Sequence, residues 1–398
     1  MTYYDRRNKK IADKIKARNF VLLPAISYEL LECVTQLPLE SNKESACFSM
    51  LDQHFGNSLL DSFTKPAFLI YNEYLNFDCF TILSNYLRNR ACNIANIHIL
   101  SANTVGAGEF SKQYAEMFGI LPINIIEIPY YFDFYWEIEK GINDYVLPDS
   151  RDLKLYFSLY GGGYEVHPPQ RTLLCVNFLQ YAQHGHIEFM GGNAQVWNGY
   201  SQELPVGGCS TKDNLLNYVE QLTGFCDQPT VSKFENLYDQ YVDRETFKIN
   251  LKHQLPDHQI EFNDPKWSID QHCFASIVRE TLLTDPWGCV TEKLMRCFIF
   301  GLFPIPVSGP TLIDTMTAFG FKFDTTLFDY SYLQEKDFFK RLQKLNVSME
   351  KFISTYSLDD LNNYYVKNKS LFEHNASHFK YYYESVLDNY VETLLDNI

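Results

Sequence analysis

Several spacings that announce common chemistries are missing from this 398-residue chain. No two of its ten cysteines stand as CxxC, so neither a zinc framework nor a redox pair is indicated. Neither GxGxxG nor GxxxxGK followed by Ser or Thr occurs, which weakens a dehydrogenase and a P-loop reading. No two Asp residues are separated by a single position, so the Asp-x-Asp metal pattern is absent as well. Long apolar runs are lacking, and the longest, residues 297–307, is far too short to cross a bilayer. With no recognisable signal peptide, the expectation is a soluble, cytoplasmic protein, and scattered cysteines in apolar runs fit buried thiols of a reducing compartment. Basic residues are outnumbered, 34 against 49 acidic, for a net charge of −15. That balance disfavours broad nucleic-acid binding, which relies on neutralising phosphates, but allows a local basic cleft.

Aromatic residues are plentiful, with 28 Tyr and 31 Phe in a chain that is 46% hydrophobic, so there is material for large cores and for stacking platforms. The length predicts two domains. Residues up to Phe20 are basic and helix-like, but Ile11 and Ile15 give only a thin apolar face. A solvated helix is expected there, with peripheral membrane contact as the alternative. Residues 66–71, 97–100 and 124–128 read as strands that alternate with helices over 77–90 and 109–118, which predicts a parallel sheet with covering helices. A linker over 133–151 would close a first domain, residues 1–150. A βαβ unit follows: a strand over 155–159, a loop at Gly161–Gly163, a helix from Arg171 to near His184, and a strand over 187–190 closed by Gly191 and Gly192. Roughly seventy-five residues then precede the next strand, more than a connection needs, and predict an insertion over about 193–267 with helices at 215–222 and 234–242. The second domain is expected over 151–345, with 346–398 packing back across both. In that tail a long helix over 371–395 would use Tyr381, Tyr382 and Tyr383 to brace the domains.

The most informative stretch is 278–310, VRETLLTDPWGCVTEKLMRCFIFGLFPIPVSGP. Thr291 is a good N-cap, Glu292 and Lys293 occupy the first turn, and Leu294, Cys297, Phe298, Gly301 and Leu302 recur at helical spacing. A helix start favours an anion, Lys293 adds a mobile cation, and phosphate oxygens suit that place. Glu292 would instead accept hydrogen bonds from sugar or ribose hydroxyls. The plain structural alternative is a dipole-stabilised Glu beside a solvated Lys. His184 and His186 flank Gly185, but no nearby Cys or carboxylate cluster completes a metal site, so they are read as structural.

This segment resembles the donor-binding region of the fucosyltransferase-like glycosyltransferases. The matching residues are Glu280, Thr291, Glu292, Lys293, Leu294, Arg296, Gly301, Pro304, Pro306, Val307, Gly309 and Pro310. The βαβ unit matches too, with Arg171 at the place of the family's pyrophosphate-gripping Arg, a task that suits a permanently charged bidentate guanidinium. The likeness covers about a quarter of the chain. The family's FENS stands here as Arg279, Glu280, Thr281, Leu282, without the Asn and with two more residues before the TEKL block.

The resemblance implies a GT-B architecture, two Rossmann-like α/β domains facing across a cleft, with a helical insertion in the C-terminal one. It implies a nucleotide-diphosphate sugar as donor, a GDP-sugar among the candidates, bound by Arg171, Glu280, Thr291, Glu292 and Lys293. Transfer with inversion to a hydroxyl of a glycan or lipid-linked saccharide such as lipopolysaccharide would follow, and the missing Asp-x-Asp favours a metal-independent layout. The general base is expected at a strand end of the acceptor domain: Glu73 first, then Glu109. Golgi relatives carry an anchor, so its lack points by analogy to a bacterial or viral version. Two alternatives stand beside this one: a non-catalytic member that binds nucleotide or glycan, and a viral sugar transferase acting on modified nucleic-acid bases.

Overall fold

Residues 67–71 read Ala-Phe-Leu-Ile-Tyr without one charged side chain, and a strand of that composition must be covered on both faces. The computed structural model describes residues 3–26, 43–63, 65–71, 75, 77–90, 93–102, 104–128, 146–163, 169–190, 212–223, 228–242, 269–280, 283, 287–381 and 387–396. In it, β1 (Val21–Ile26), β2 (Ala67–Tyr71), β3 (Ile97–Ala102) and β5 (Asn124–Ile128) form a parallel sheet in the order β1-β2-β3-β5, with a two-residue β4 (Thr104–Val105) between β3 and β5 in sequence. Every residue of β2 is buried.

Strand order follows sequence order without reversal, so right-handed crossovers return their helices to the same face. The two cores agree with this. Ala67, Leu69, Tyr71, Ile97 and Ile99 pack with residues of α2 (Lys43–Phe55), α3 (Phe77–Asn89) and α4 (Ala107–Phe118). The alternate residues Phe68, Ile70 and Leu100 point the other way. They are covered by α1 (Tyr3–Ala17), through Ile11 and Ile15, and by Leu395 of α13 (Leu387–Asp396). The expectation of a solvated N-terminal helix is therefore corrected, since Ile11 and Ile15 are buried. Two isoleucines suffice because α13, remote in sequence, completes the layer. Lys14 pairs with Glu392 at 2.8 Å, and Arg18 reaches both Glu392 and Asp396, at 2.5 and 2.6 Å.

The second sheet joins β6 (Leu155–Gly163), β7 (Gly185–Met190), β8 (Cys273–Arg279) and β10 (Phe303–Val307), all parallel, in the order β10-β8-β6-β7. Here the order reverses. From β6 the chain moves to one side for β7, then returns to the other for β8 and β10, so this sheet is Rossmann-like and has a switch point between β6 and β8. Ligand crevices of open α/β sheets lie outside the carboxyl ends of the strands at such a point.

Helices cover both faces. On one, α5 (Pro169–Phe178), α6 (Lys212–Thr223) and α7 (Gln228–Tyr241) share a core with α10 (Phe338–Thr355) and α11 (Leu358–Lys367). On the other are α8 (Glu292–Ile299), α9 (Leu312–Ala318) and α12 (Lys369–Tyr381). The helices expected inside an inserted subdomain are thus part of the domain's own core, with Leu215, Val219, Phe234 and Tyr238 buried beside Phe157 and Phe178. Residues 193–211, 224–227 and 243–267 lie outside the described residues. The single helix expected over 371–395 is two, α12 against α8 and α13 on the first sheet. Tyr382 and Tyr383 lie outside the described residues, as does the side chain of Tyr381.

Six cysteines, Cys47, Cys79, Cys175, Cys273, Cys289 and Cys297, are buried free thiols. Among the described residues no helix is long and apolar enough to cross a membrane.

Candidate functional site

At the carboxyl end of β8 the chain leaves the sheet through Glu280, whose N–H donates to the carbonyl of Val307 at 3.1 Å. The side chain is fully buried. Its Oε1 accepts from the N–H of Thr291 at 3.2 Å, and Thr291 in turn caps α8, its Oγ1 accepting from the N–H of Lys293 at 3.3 Å. The ammonium of Lys293 lies 3.5 Å from the same hydroxyl. Glu280, Thr291 and Lys293, eleven and thirteen positions apart in sequence, are therefore one hydrogen-bonded cluster beside the switch point. One expectation changes in detail: the group already seated at the start of α8 is the Glu280 carboxyl, and the hydroxyl of Thr291 is used as a cap. Arg171 lies in the first turn of α5, which follows β6, the neighbour of β8, and Glu292 is the first residue of α8. The side chains of both lie outside the described residues.

Helix α8 is held from within. Arg296 pairs with Asp270 at 2.9 Å, with only 7% and 2% of the two side chains exposed, and Asp270 also accepts from Ser158 Oγ of β6 at 2.7 Å. One buried ion pair thus fixes α8 against β6 and the start of β8. The helix stops at Gly301, φ +61°, where the N–H groups of Leu302 and Gly301 return to the carbonyls of Cys297 and Phe298 at 2.8 and 3.3 Å. Burial pushes the Cys297 thiol far above its ordinary range, so it serves as packing.

Between Glu280 and Thr291 the chain crosses to the other domain. Strand β9 (Gly288–Cys289) pairs antiparallel with β4, Thr104 opposite Cys289 and Val105 opposite Gly288. Because β4 follows β3 and β9 follows β8, the carboxyl ends of both sheets converge on this bridge. Trp287, fully buried, enters the core of the first domain. The turn at 308–311 closes the junction. Arg341, itself wholly buried, donates to the carbonyls of Leu283 and Ser308 at 2.9 and 2.6 Å. A Cβ at Gly106, φ +93°, would meet Thr311 Oγ1 at 2.4 Å, and one at Gly309 would meet the backbone of Trp287 and Gly288 at 2.3 and 2.4 Å. Gly309→Ala is accordingly expected to cost about 1–3 kcal/mol, as overpacking against rigid backbone does. Urea unfolding of the variant and wild type checks it; an unchanged midpoint would show that the junction yields.

Of the candidate bases, Glu73 lies outside the described residues. Glu109 is exposed in the first turn of α4, accepting from Gln113 Nε2 at 3.1 Å. A third acidic side chain, which no sequence motif marks, stands nearby. Glu127, next to last in β5, takes the N–H of Gly108 at 3.0 Å. Burial raises its pKa even though Gly108, Gly106 and Ala107 all donate backbone N–H groups to it. Its signal is a lone acid near the carboxyl end of the apolar strand Asn-Ile-Ile-Glu-Ile. His184 contacts Gln183 and His186 is buried, and no group of three or more metal-ligating side chains occurs among the described residues. Compared with protein-family models, with curated proteins and with solved structures, the chain gave no match.

Proposed function

We propose that the protein is a nucleotide-sugar-dependent glycosyltransferase of GT-B layout, fucosyltransferase-like. It would transfer a hexose with inversion from a nucleotide-diphosphate sugar to a hydroxyl of a glycan or lipid-linked saccharide. The observation that carries this reading is the Glu280–Thr291–Lys293 cluster at the strand-order reversal of the second sheet. Lys293 and Arg171 supply positive charge for the pyrophosphate leaving group, whose charge grows in the transition state without need of a divalent ion. Glu292 offers an acceptor for ribose or sugar hydroxyls, while the buried Glu280 holds the start of α8 in place beneath them. The acceptor's proton goes to a carboxylate at the carboxyl end of the first sheet, Glu73 or Glu109, with Glu127 as a third candidate whose raised pKa suits proton transfer.

A second reading, a non-catalytic nucleotide- or glycan-binding member, is favoured by one particular: Thr281 and Leu282 stand where the family has Asn and Ser. Thermal shift with GDP, UDP and their sugars, in EDTA and in Mg²⁺, tests the donor site. A ligand at about a hundred times its Kd stabilises the native state by about 2.7 kcal/mol. Lys293→Ala and Arg171→Ala are each expected to weaken the responding nucleotide roughly 10- to 100-fold, the worth of one charge-assisted hydrogen bond. No shift with any nucleotide, or a shift indifferent to both substitutions, removes the proposal. Nucleotide binding with no transfer to any acceptor selects the non-catalytic reading.

A further inference from the structure

Trp287 is a residue of the second domain whose ring lies in the first, among Phe110, Phe80 and Phe77 at centroid distances of 4.9, 5.7 and 6.1 Å. Its indole Nε1–H donates to the backbone carbonyl of Leu75 at 2.7 Å. Leu75 lies between the end of β2 and the start of α3, two positions after Glu73 in sequence. On the other flank only three residues separate Trp287 from Thr291, and each is held. Gly288 and Cys289 are paired to β4, the Cys289 carbonyl faces Ser308 Oγ at 3.5 Å, and Val290 is buried. Gly309 presses on the Trp287 backbone from behind. There is little slack between the indole and the start of α8.

We propose that Trp287 is a positioning residue that ties Leu75, at the approach to α3, to the start of α8, so that a nucleoside diphosphate held at Lys293 also steadies this part of the first domain. Packing alone would be served by any large aromatic ring; the indole N–H adds a directional bond to the backbone of the other domain. Settling of Thr291 and Lys293 around a ligand is passed through a short, tightly packed segment to Leu75. The inference rests on the donor site proposed above.

Hydrogen–deuterium exchange of the full chain, with GDP and UDP as probes, tests it. In wild type the responding nucleotide is expected to slow exchange both over 288–296 and over 75–83. In Trp287→Phe, which keeps a ring and deletes the donor, protection over 288–296 is expected to remain and that over 75–83 to be lost. Phe77→Ala, at a position 37% exposed against the same ring, should weaken the remote protection without unfolding the core and covers the case in which Trp287→Phe does not fold. Remote protection that survives both substitutions overturns the tie. So does protection of 288–296 in wild type without that of 75–83. Absence of protection in both segments removes the donor site, and the tie with it.

Discussion

Asp270→Ala is expected to destabilise the protein by about 3–5 kcal/mol, the range for breaking a buried ion pair from one side. The cause is the guanidinium left behind. Arg296 is 7% exposed and sits in the last turn of α8, so without Asp270 it keeps its charge in a place where water cannot replace the carboxylate. Ser158 Oγ loses its acceptor at the same time. Against a typical net stability of about 5–15 kcal/mol, that loss is large. Urea denaturation gives the number, and the double variant Asp270→Ala/Arg296→Met tells the mechanism. Removing the charge as well should restore much of the loss, because the pair's own net contribution is small once desolvation is counted. A double variant as unstable as the single would place the cost in lost packing. Since the pair orients α8, the single variant should also weaken binding of a nucleotide at the proposed donor site, and a folded Asp270→Ala with unchanged affinity would separate the helix from that site.

Arg341→Met carries the next largest expectation, a loss of about 3 kcal/mol. Arg341 is wholly buried, and burial lowers its pKa to about 10, so it remains charged at neutral pH. Its guanidinium donates to four carbonyls, those of Glu335, Leu283, Ser308 and Lys336, at 2.7, 2.9, 2.6 and 3.3 Å. Methionine fills similar volume and relieves the buried charge, but strands these acceptors at about 1–3 kcal/mol each where water does not reach. Thermal and urea unfolding should agree on the loss. A variant as stable as wild type would mean that the carbonyls find other donors. Leu283 and Ser308 flank the domain junction, so Gly106 and Thr311 should lose their close fit in the variant.

Much of the fold was legible because periodicity is local. The strands at 67–71, 97–102 and 124–128 and their helices fall where alternation places them. Strand β1 and helix α2 were not foreseen. Pro24 interrupts the pattern of Val21–Ile26, and only the structure shows why it is tolerated: β1 is an edge strand with a register shift between Leu23 and Ile26. The partners of α1 were illegible for another reason, since α13 lies more than 370 positions away and amphipathicity names no partner. In the candidate site, Thr291 and Lys293 could be named from helical spacing and Glu280 from the resemblance alone, whereas the sharing of Glu280 with the start of α8 could not be read from either.

Several residues of the family-like segment also have structural work. Gly301 ends α8, and Pro304 and Pro306 sit on edge strand β10, their carbonyls taken by the hydroxyls of Tyr330 and Tyr332 at 2.8 and 2.5 Å. Gly309 makes room for Trp287. A pattern can thus record a fold as faithfully as a reaction, which is why the nucleotide titration matters more than a count of matching letters.

The covering of the first sheet by α1 and α13 bears on how the chain is made. Its four strands lie within residues 21–128, yet the flank formed by Phe68, Ile70 and Leu100 lacks part of its cover until residues 387–396 are made. Domains ordinarily finish in order of synthesis. Here the first sheet is completed only after the second domain has been made, so its apolar flank stays partly open while that domain is synthesised.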